Sequence, residues 1–159
     1  MLSTLVNPHH IKINLSATTK DELFQELVDV LHANNRISDK AQFLADIQQR
    51  ESDSITCMDG IAYPHAKSKA VLEPAIAVGI KKETIAYGDE DGVEPSLFFM
   101  IASPDNGADH HIYVLQELFG KFGDEFLEAM HNATSEQQAL DVLLSDQFSE
   151  SPVSPFPHL

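Results

Sequence analysis

Six consecutive apolar residues, Leu97-Phe98-Phe99-Met100-Ile101-Ala102, bounded by Ser103-Pro104, constrain the fold of this chain more than any other stretch. The run is too short for a helix and continuously apolar, so it reads as a central strand covered on both faces. Ala75-Ile76-Ala77-Val78-Gly79-Ile80 reads as a second strand, and Ile11-Lys12-Ile13-Asn14-Leu15 alternates as a half-buried one.

Helical patterns separate these strands. Thr19-Lys20-Asp21-Glu22 has the spacing of a capping box, with Glu22 placed to reach back to the Thr19 amide. Leu23, Leu27, Val30 and Leu31 then make one apolar face of a helix over residues 20–33, with Asn34-Asn35 offering a left-handed stop. Ser38 is the expected cap of a second helix that turns Phe43, Leu44 and Ile47 to the core and carries Arg50 in its last turn. Ile112, Leu115, Leu118, Phe119 and Phe122 mark a third helix opened by His110 or His111 and interrupted near Gly120 or Gly123. A short helix over 126–130 follows, and Thr134 with Gln137 has capping-box spacing for a last one. Gly88-Asp89-Glu90-Asp91-Gly92 and Asp105-Asn106-Gly107 read as turns. Strands alternating with helices argue for an α/β layer arrangement in a single domain.

The chemistry is expected around Gly60-Ile61-Ala62-Tyr63-Pro64-His65-Ala66-Lys67. Proline cannot donate to a sheet ladder, so an apolar strand should end there with His65 at its rim. Taken alone, the pattern equally describes a histidine in an ordinary turn. His111, at a helix start, would sit among free amide donors and a partial positive charge, or is simply a first-turn residue. Arg50 is either an anion ligand or a helix C-terminal charge, and Thr56 and Asp59 are either site groups or turn residues.

Composition narrows the partners. The formal charge is −15, from 25 acidic against 10 basic residues, which argues against nucleic acid and against an anionic membrane surface. The natural complement is a basic protein. Cys57 is the one cysteine, which fits a reducing compartment, and no signal pattern or long apolar span is seen, so a cytoplasmic location is expected. No cofactor is expected: nucleotide-loop motifs and His-Glu-x-x-His are missing, and adjacent pairs such as His9-His10 and His110-His111 point apart, although a metal site assembled from the 8 histidines stays open. The proline-containing tail from Ser149 reads as a flexible segment over 149–159, leaving 1–148 as the domain.

Arg50-Glu51, then Thr56 and a turn ending in Gly60, then Ile61-Ala62-Tyr63-Pro64-His65, and finally His111 opening an apolar helix form an ordered set. Over roughly residues 1 to 145 this set resembles the fructose/mannitol-type enzyme IIA of the bacterial sugar phosphotransferase system (PTS), a group that also includes nitrogen-regulatory members. The resemblance implies a mixed sheet flanked by helices, and it implies that His65 accepts a phosphoryl group from the phosphocarrier HPr and passes it to an enzyme IIB. It further implies that His111 lies beside His65, and that Arg50, Thr56, Asp59 and Gly60 help to hold the phosphoryl oxygens. Neutral imidazole suits the role, since it is nucleophilic near pH 7 and its protonated N-phosphoryl form is a good donor. Two alternatives remain: a regulatory enzyme IIA whose His65 phosphorylation state controls binding to other proteins, and a binding module that has lost transfer. The turn Cys57-Met58-Asp59-Gly60 is shorter and bulkier than the glycine-rich turn usual in that family, and Tyr63 stands where an aliphatic residue is usual. A homodimer is compatible with the sequence but not required by it.

Overall fold

The computed structural model describes residues 2–88, 92–107 and 110–148. Its center is a mixed sheet of six strands: β1 (Ile11–Lys12), β2 (Cys57–Met58), β3 (Ile61–Ala62), β4 (His65–Ser68), β5 (Ala75–Ile80) and β6 (Leu97–Pro104). The order is β1-β5-β6-β3-β2, with β4 also pairing with β6. β5 runs antiparallel to β6, whereas β3 and β4 run parallel to it. Along β6 the side chains alternate between two cores: Phe98, Met100 and Ala102 face one, Leu97, Phe99 and Ile101 the other. The continuous apolar run is thus a central strand buried on both faces.

Five helices complete the layers: α1 (Lys20–Ala33), α2 (Lys40–Asp53), α3 (His110–Phe119), α4 (Asp124–His131) and α5 (Glu136–Leu144). The core facing Phe98 contains Leu23, Leu27 and Leu31 of α1 and Phe43 and Ile47 of α2. The opposite core contains Val114 and Leu118 of α3, Phe126 and Met130 of α4, and Leu143 of α5.

The caps of α2 and α5 lie one residue beyond the sequence expectation, whereas that of α1 is as expected and only its reach-back partner differs. Thr19 caps α1, but the Glu22 carboxylate accepts from the amide and hydroxyl of Thr18 rather than from Thr19. α5 repeats the arrangement, with Ser135, not Thr134, as cap and Gln138, not Gln137, reaching back to Thr134. α2 is capped by Asp39, because the Ser38 hydroxyl is engaged with the Ala70 carbonyl. The left-handed stop after α1 is Asn35, at φ 59°. The first strand is shorter than its alternation suggested, ending at Lys12. Residues 89–91 of the expected turn and the tail from Ser149 lie outside the described residues.

The largest departure concerns Pro64. His65 begins a strand instead of ending one, and Lys67 and Ser68 belong to β4. Ile61 and Ala62 pair with Leu97 and Phe98, and His65 pairs with Ile101, so the register on β6 is the same before and after the proline. Pro64 lacks the donor and interrupts the ladder, but its carbonyl still accepts from Ile101, so the chain rejoins the same neighbor.

Candidate active site

Pro64 positions the site by keeping β3 and β4 collinear while setting His65 at the first residue of β4. β4 touches α2 and α3, which belong to opposite layers of the sheet. A cleft of about 310 Å³ opens there, lined by Asp46, Gln49, Arg50 and Asp53 of α2, His65, Ala66 and Lys67 of β4, and His111 of α3. The four α2 residues recur at helical spacing and form one stripe.

His65 is 7% exposed. Its Nδ1 lies 3.0 Å from the Tyr63 carbonyl oxygen. A carbonyl only accepts, so Nδ1 carries the proton and Nε2 keeps the lone pair. Burial is the main influence that holds the His65 pKa below its ordinary value; the bond to Tyr63 opposes this, and the nearby Arg50 and His111 add to it. The imidazole is therefore neutral near pH 7, the state in which Nε2 is nucleophilic. The His111 ring lies nearly parallel to that of His65, with centroids 6.0 Å apart, and Tyr63 is similarly disposed at 6.3 Å. Tyr63 in turn meets Phe119, at the far end of α3, edge to face.

Three of the residues singled out by the sequence, His65, His111 and Arg50, share this cleft. Arg50 sits in the last turn of α2, where its guanidinium makes long hydrogen bonds of 3.3 and 3.4 Å to Ser54. Such bonds leave the guanidinium able to turn toward an anion. Thr56, Asp59 and Gly60 are not among the cleft residues. The Thr56 hydroxyl is buried and donates to Glu51 Oε1 at 2.6 Å. Asp59 and Gly60, with φ of 53° and 83°, form the tip of a two-residue hairpin between β2 and β3. An Asp-Gly pair with positive φ at both positions is the type I′ solution, so the short turn is a regular hairpin rather than a defective loop.

Sequence reasoning passed over four residues that line the cleft, Asp46, Gln49, Asp53 and Lys67. The helical spacing of the first three with Arg50, and the placement of Lys67 two residues beyond His65 on one strand face, were the available signals. It also passed over a buried network centered on Glu51. The Glu51 carboxylate accepts from the Thr56 amide at 3.0 Å, from the Thr56 hydroxyl, from the Tyr87 hydroxyl at 3.3 Å and from Lys20 Nζ at 3.0 Å. Lys20 Nζ also bonds the Tyr87 carbonyl and lies 4.0 Å from the center of its ring. Burial, reinforced by Glu51, pushes the Tyr87 phenol far above its ordinary range, so it stays a neutral donor. Nothing local in the sequence joins Glu51 to partners 31 and 36 residues away.

Comparison with known proteins converges on one family. Residues 4–146 match the family described as Phosphoenolpyruvate-dependent sugar phosphotransferase system, EIIA 2. The chain is 33% identical over 144 residues to the PTS system fructose-specific EIIABC component of Bacillus subtilis (strain 168), covering 89% of this chain but only 23% of that protein. It is 30% identical to the PTS system fructose-specific EIIA component of Haloferax volcanii, covering 89% of this chain and 94% of that one. Among solved structures, nitrogen regulatory protein IIA-Ntr from Neisseria meningitidis superposes with a TM-score of 0.81 at 25% identity, over 88% of this chain and 97% of that one. Enzyme IIAMTL in its complex with phosphorylated enzyme IIBMTL from Escherichia coli shares the fold, with a TM-score of 0.74 at 22% identity over 87% and 96% of the two chains. The chain therefore belongs to the EIIA 2 family of the phosphoenolpyruvate-dependent sugar phosphotransferase system.

Proposed function

We propose that this chain is a phosphocarrier that accepts a phosphoryl group on His65 Nε2 from phospho-HPr and passes it to an enzyme IIB, with residues 1–148 forming the working domain. The observation that carries this reading is the His65 Nδ1 bond to the Tyr63 carbonyl, which leaves Nε2 unprotonated in a cleft shared with His111 and Arg50. The Nε2 lone pair attacks phosphorus, the new N–P bond forms, and the N–P bond of the donor histidine breaks with its electron pair returning to the donor ring. No proton has to move, because each ring keeps the proton on its other nitrogen. The phosphorylated His65 ring is then an imidazolium, which makes it a good leaving group for the next transfer. Its Nδ1–H still donates to the Tyr63 carbonyl in that state.

His111 and Arg50 supply donors and positive charge for the phosphoryl oxygens, and Lys67 lines the same cleft. The excess of acidic residues suits a basic carrier protein as donor. The test is incubation with phosphoenolpyruvate, enzyme I and HPr, followed by intact-mass and peptide analysis at neutral to alkaline pH. One phosphoryl group is expected on His65 and none on a His65→Ala variant. Absence of labeling where a control enzyme IIA is labeled would overturn the carrier reading and leave a binding module.

The likeness to a nitrogen-regulatory IIA, the higher of the two structural scores above, supports a second reading in which His65 phosphorylation governs binding to other proteins. That reading requires a partner whose affinity differs between phosphorylated and unphosphorylated chain. Equal affinity for the two forms would remove it.

A further inference from the structure

The Glu51 network and the His65 ring are linked by hydrogen bonds through the backbone of Thr56 and Tyr63. Glu51 binds the amide and hydroxyl of Thr56, the Thr56 carbonyl accepts from the Tyr63 amide at 2.9 Å, and the Tyr63 carbonyl accepts from His65 Nδ1 at 3.0 Å. Thr56 is 1% exposed and Glu51 8% exposed, so water cannot readily replace either partner. The Thr56 carbonyl holds the Tyr63 amide on one side and Ile101 holds the Pro64 carbonyl on the other, so the Tyr63–Pro64 peptide that carries the Tyr63 oxygen is fixed between them, Pro64 contributing no donor of its own. The far side of Glu51 is held by Lys20, from a different helix, and by Tyr87.

We propose that Glu51 is a positioning residue for phosphoryl transfer at His65: acting through Thr56 and Tyr63, its carboxylate sets the Tyr63 carbonyl that holds the proton on His65 Nδ1 and so presents Nε2 to the donor. This rests on the carrier function assigned above. Glu51 touches neither the donor nor the reacting atoms. Its contribution is to the fraction of His65 in the reactive tautomer and to the orientation of the ring. In Glu51→Gln, a side-chain NH₂ replaces an acceptor opposite the Thr56 donors or Lys20, so that an acceptor is exchanged for a donor facing donors.

The experiment combines two readouts on wild type, Glu51→Gln, Thr56→Val and Thr56→Ser, each checked for folding by its thermal midpoint. Two-bond ¹H–¹⁵N spectra report the His65 tautomer without any phosphoryl transfer, and transfer from phospho-HPr is resolved into kcat and KM. Wild type and Thr56→Ser should show the Nδ1–H tautomer. Glu51→Gln should show a substantial Nε2–H population and a kcat lower by about 10- to 100-fold with KM little changed. Thr56→Val, which keeps the amide bond to Glu51 and loses the hydroxyl bond, should fall between. A folded Glu51→Gln protein with the wild-type tautomer and kcat overturns the proposal. Should Glu51→Gln not fold, wild-type behavior of Thr56→Val decides the matter in the same sense. If the wild-type protein takes no phosphoryl group, the carrier function fails, while the tautomer spectra still test the positioning claim.

Discussion

At the scale of single residues, the proposed function assigns His65 and His111 different parts, a nucleophile and a neighbor. His65 is buried, neutral and oriented through Nδ1, whereas His111 stands 6.0 Å away at the start of a helix. His111→Ala should therefore leave His65 labeling possible but slow its rate by about 100-fold, the usual effect of deleting one donor to a developing charge. Stopped-flow measurement of transfer from phospho-HPr checks this; an unchanged rate would remove His111 from the site. The motif around His65 was legible because proline, histidine and their neighbors are contiguous. The four donors to Glu51 were not, since Lys20 and Tyr87 meet the carboxylate only after folding.

Two glycines separate backbone effects from packing effects at the scale of elements. Gly60 has φ 83°, while an added Cβ would make only ordinary contact with Leu127 at 3.5 Å. Gly60→Ala should cost about 1 kcal/mol, all of it from forcing a left-handed conformation on a residue with a side chain. Gly79 in β5 is the reverse case, since an added Cβ would meet Leu15 Cδ1 at 2.6 Å. Leu15 is itself buried, so Gly79→Ala should cost about 1 to 3 kcal/mol through crowding. Urea midpoints of the single variants, of Leu15→Ala and of the double variants Leu15→Ala/Gly79→Ala and Leu15→Ala/Gly60→Ala read the difference. Strong non-additivity is expected at Gly79 and none between Leu15 and Gly60. The lengths of α1 and β5 were readable from periodicity and apolar runs, while β6 continues past its apolar run through Ser103 and Pro104. The cap of α1 was readable as Thr19, but those of α2 and α5 only to within one residue, because Ser38-Asp39 and Thr134-Ser135 each offer two adjacent capping side chains.

For the molecule as a whole, two buried histidines link stability to pH. His10 is fully buried, and its pKa is lowered first by burial and then by the charge of Arg36; His65 is lowered first by burial as well. An unfolded chain would protonate both near the ordinary value of 6.5, while the folded chain resists. Below that pH the unfolded state binds more protons, so stability falls as pH drops from 6.5 toward the folded-state values and is fully present above 6.5. Thermal midpoints at pH 7.5 and pH 5.5 should differ in that sense, and His65→Gln should flatten part of the slope. A midpoint that rises toward pH 5.5 would contradict the assignment.

The α/β class, the doubly covered central strand and the candidate histidine next to Pro64 were determined by the sequence alone, because each depends on neighbors within a few positions: an unbroken apolar run, a proline that removes a donor, a histidine beside it. Only the tertiary structure decided that the chain resumes the same register on β6 after Pro64, that Asp59-Gly60 closes a hairpin away from the cleft, and that Thr56 serves Glu51. Those outcomes depend on which distant groups are brought together when the sheet assembles. A buried carboxylate, once enclosed, must find its donors wherever the fold has placed them.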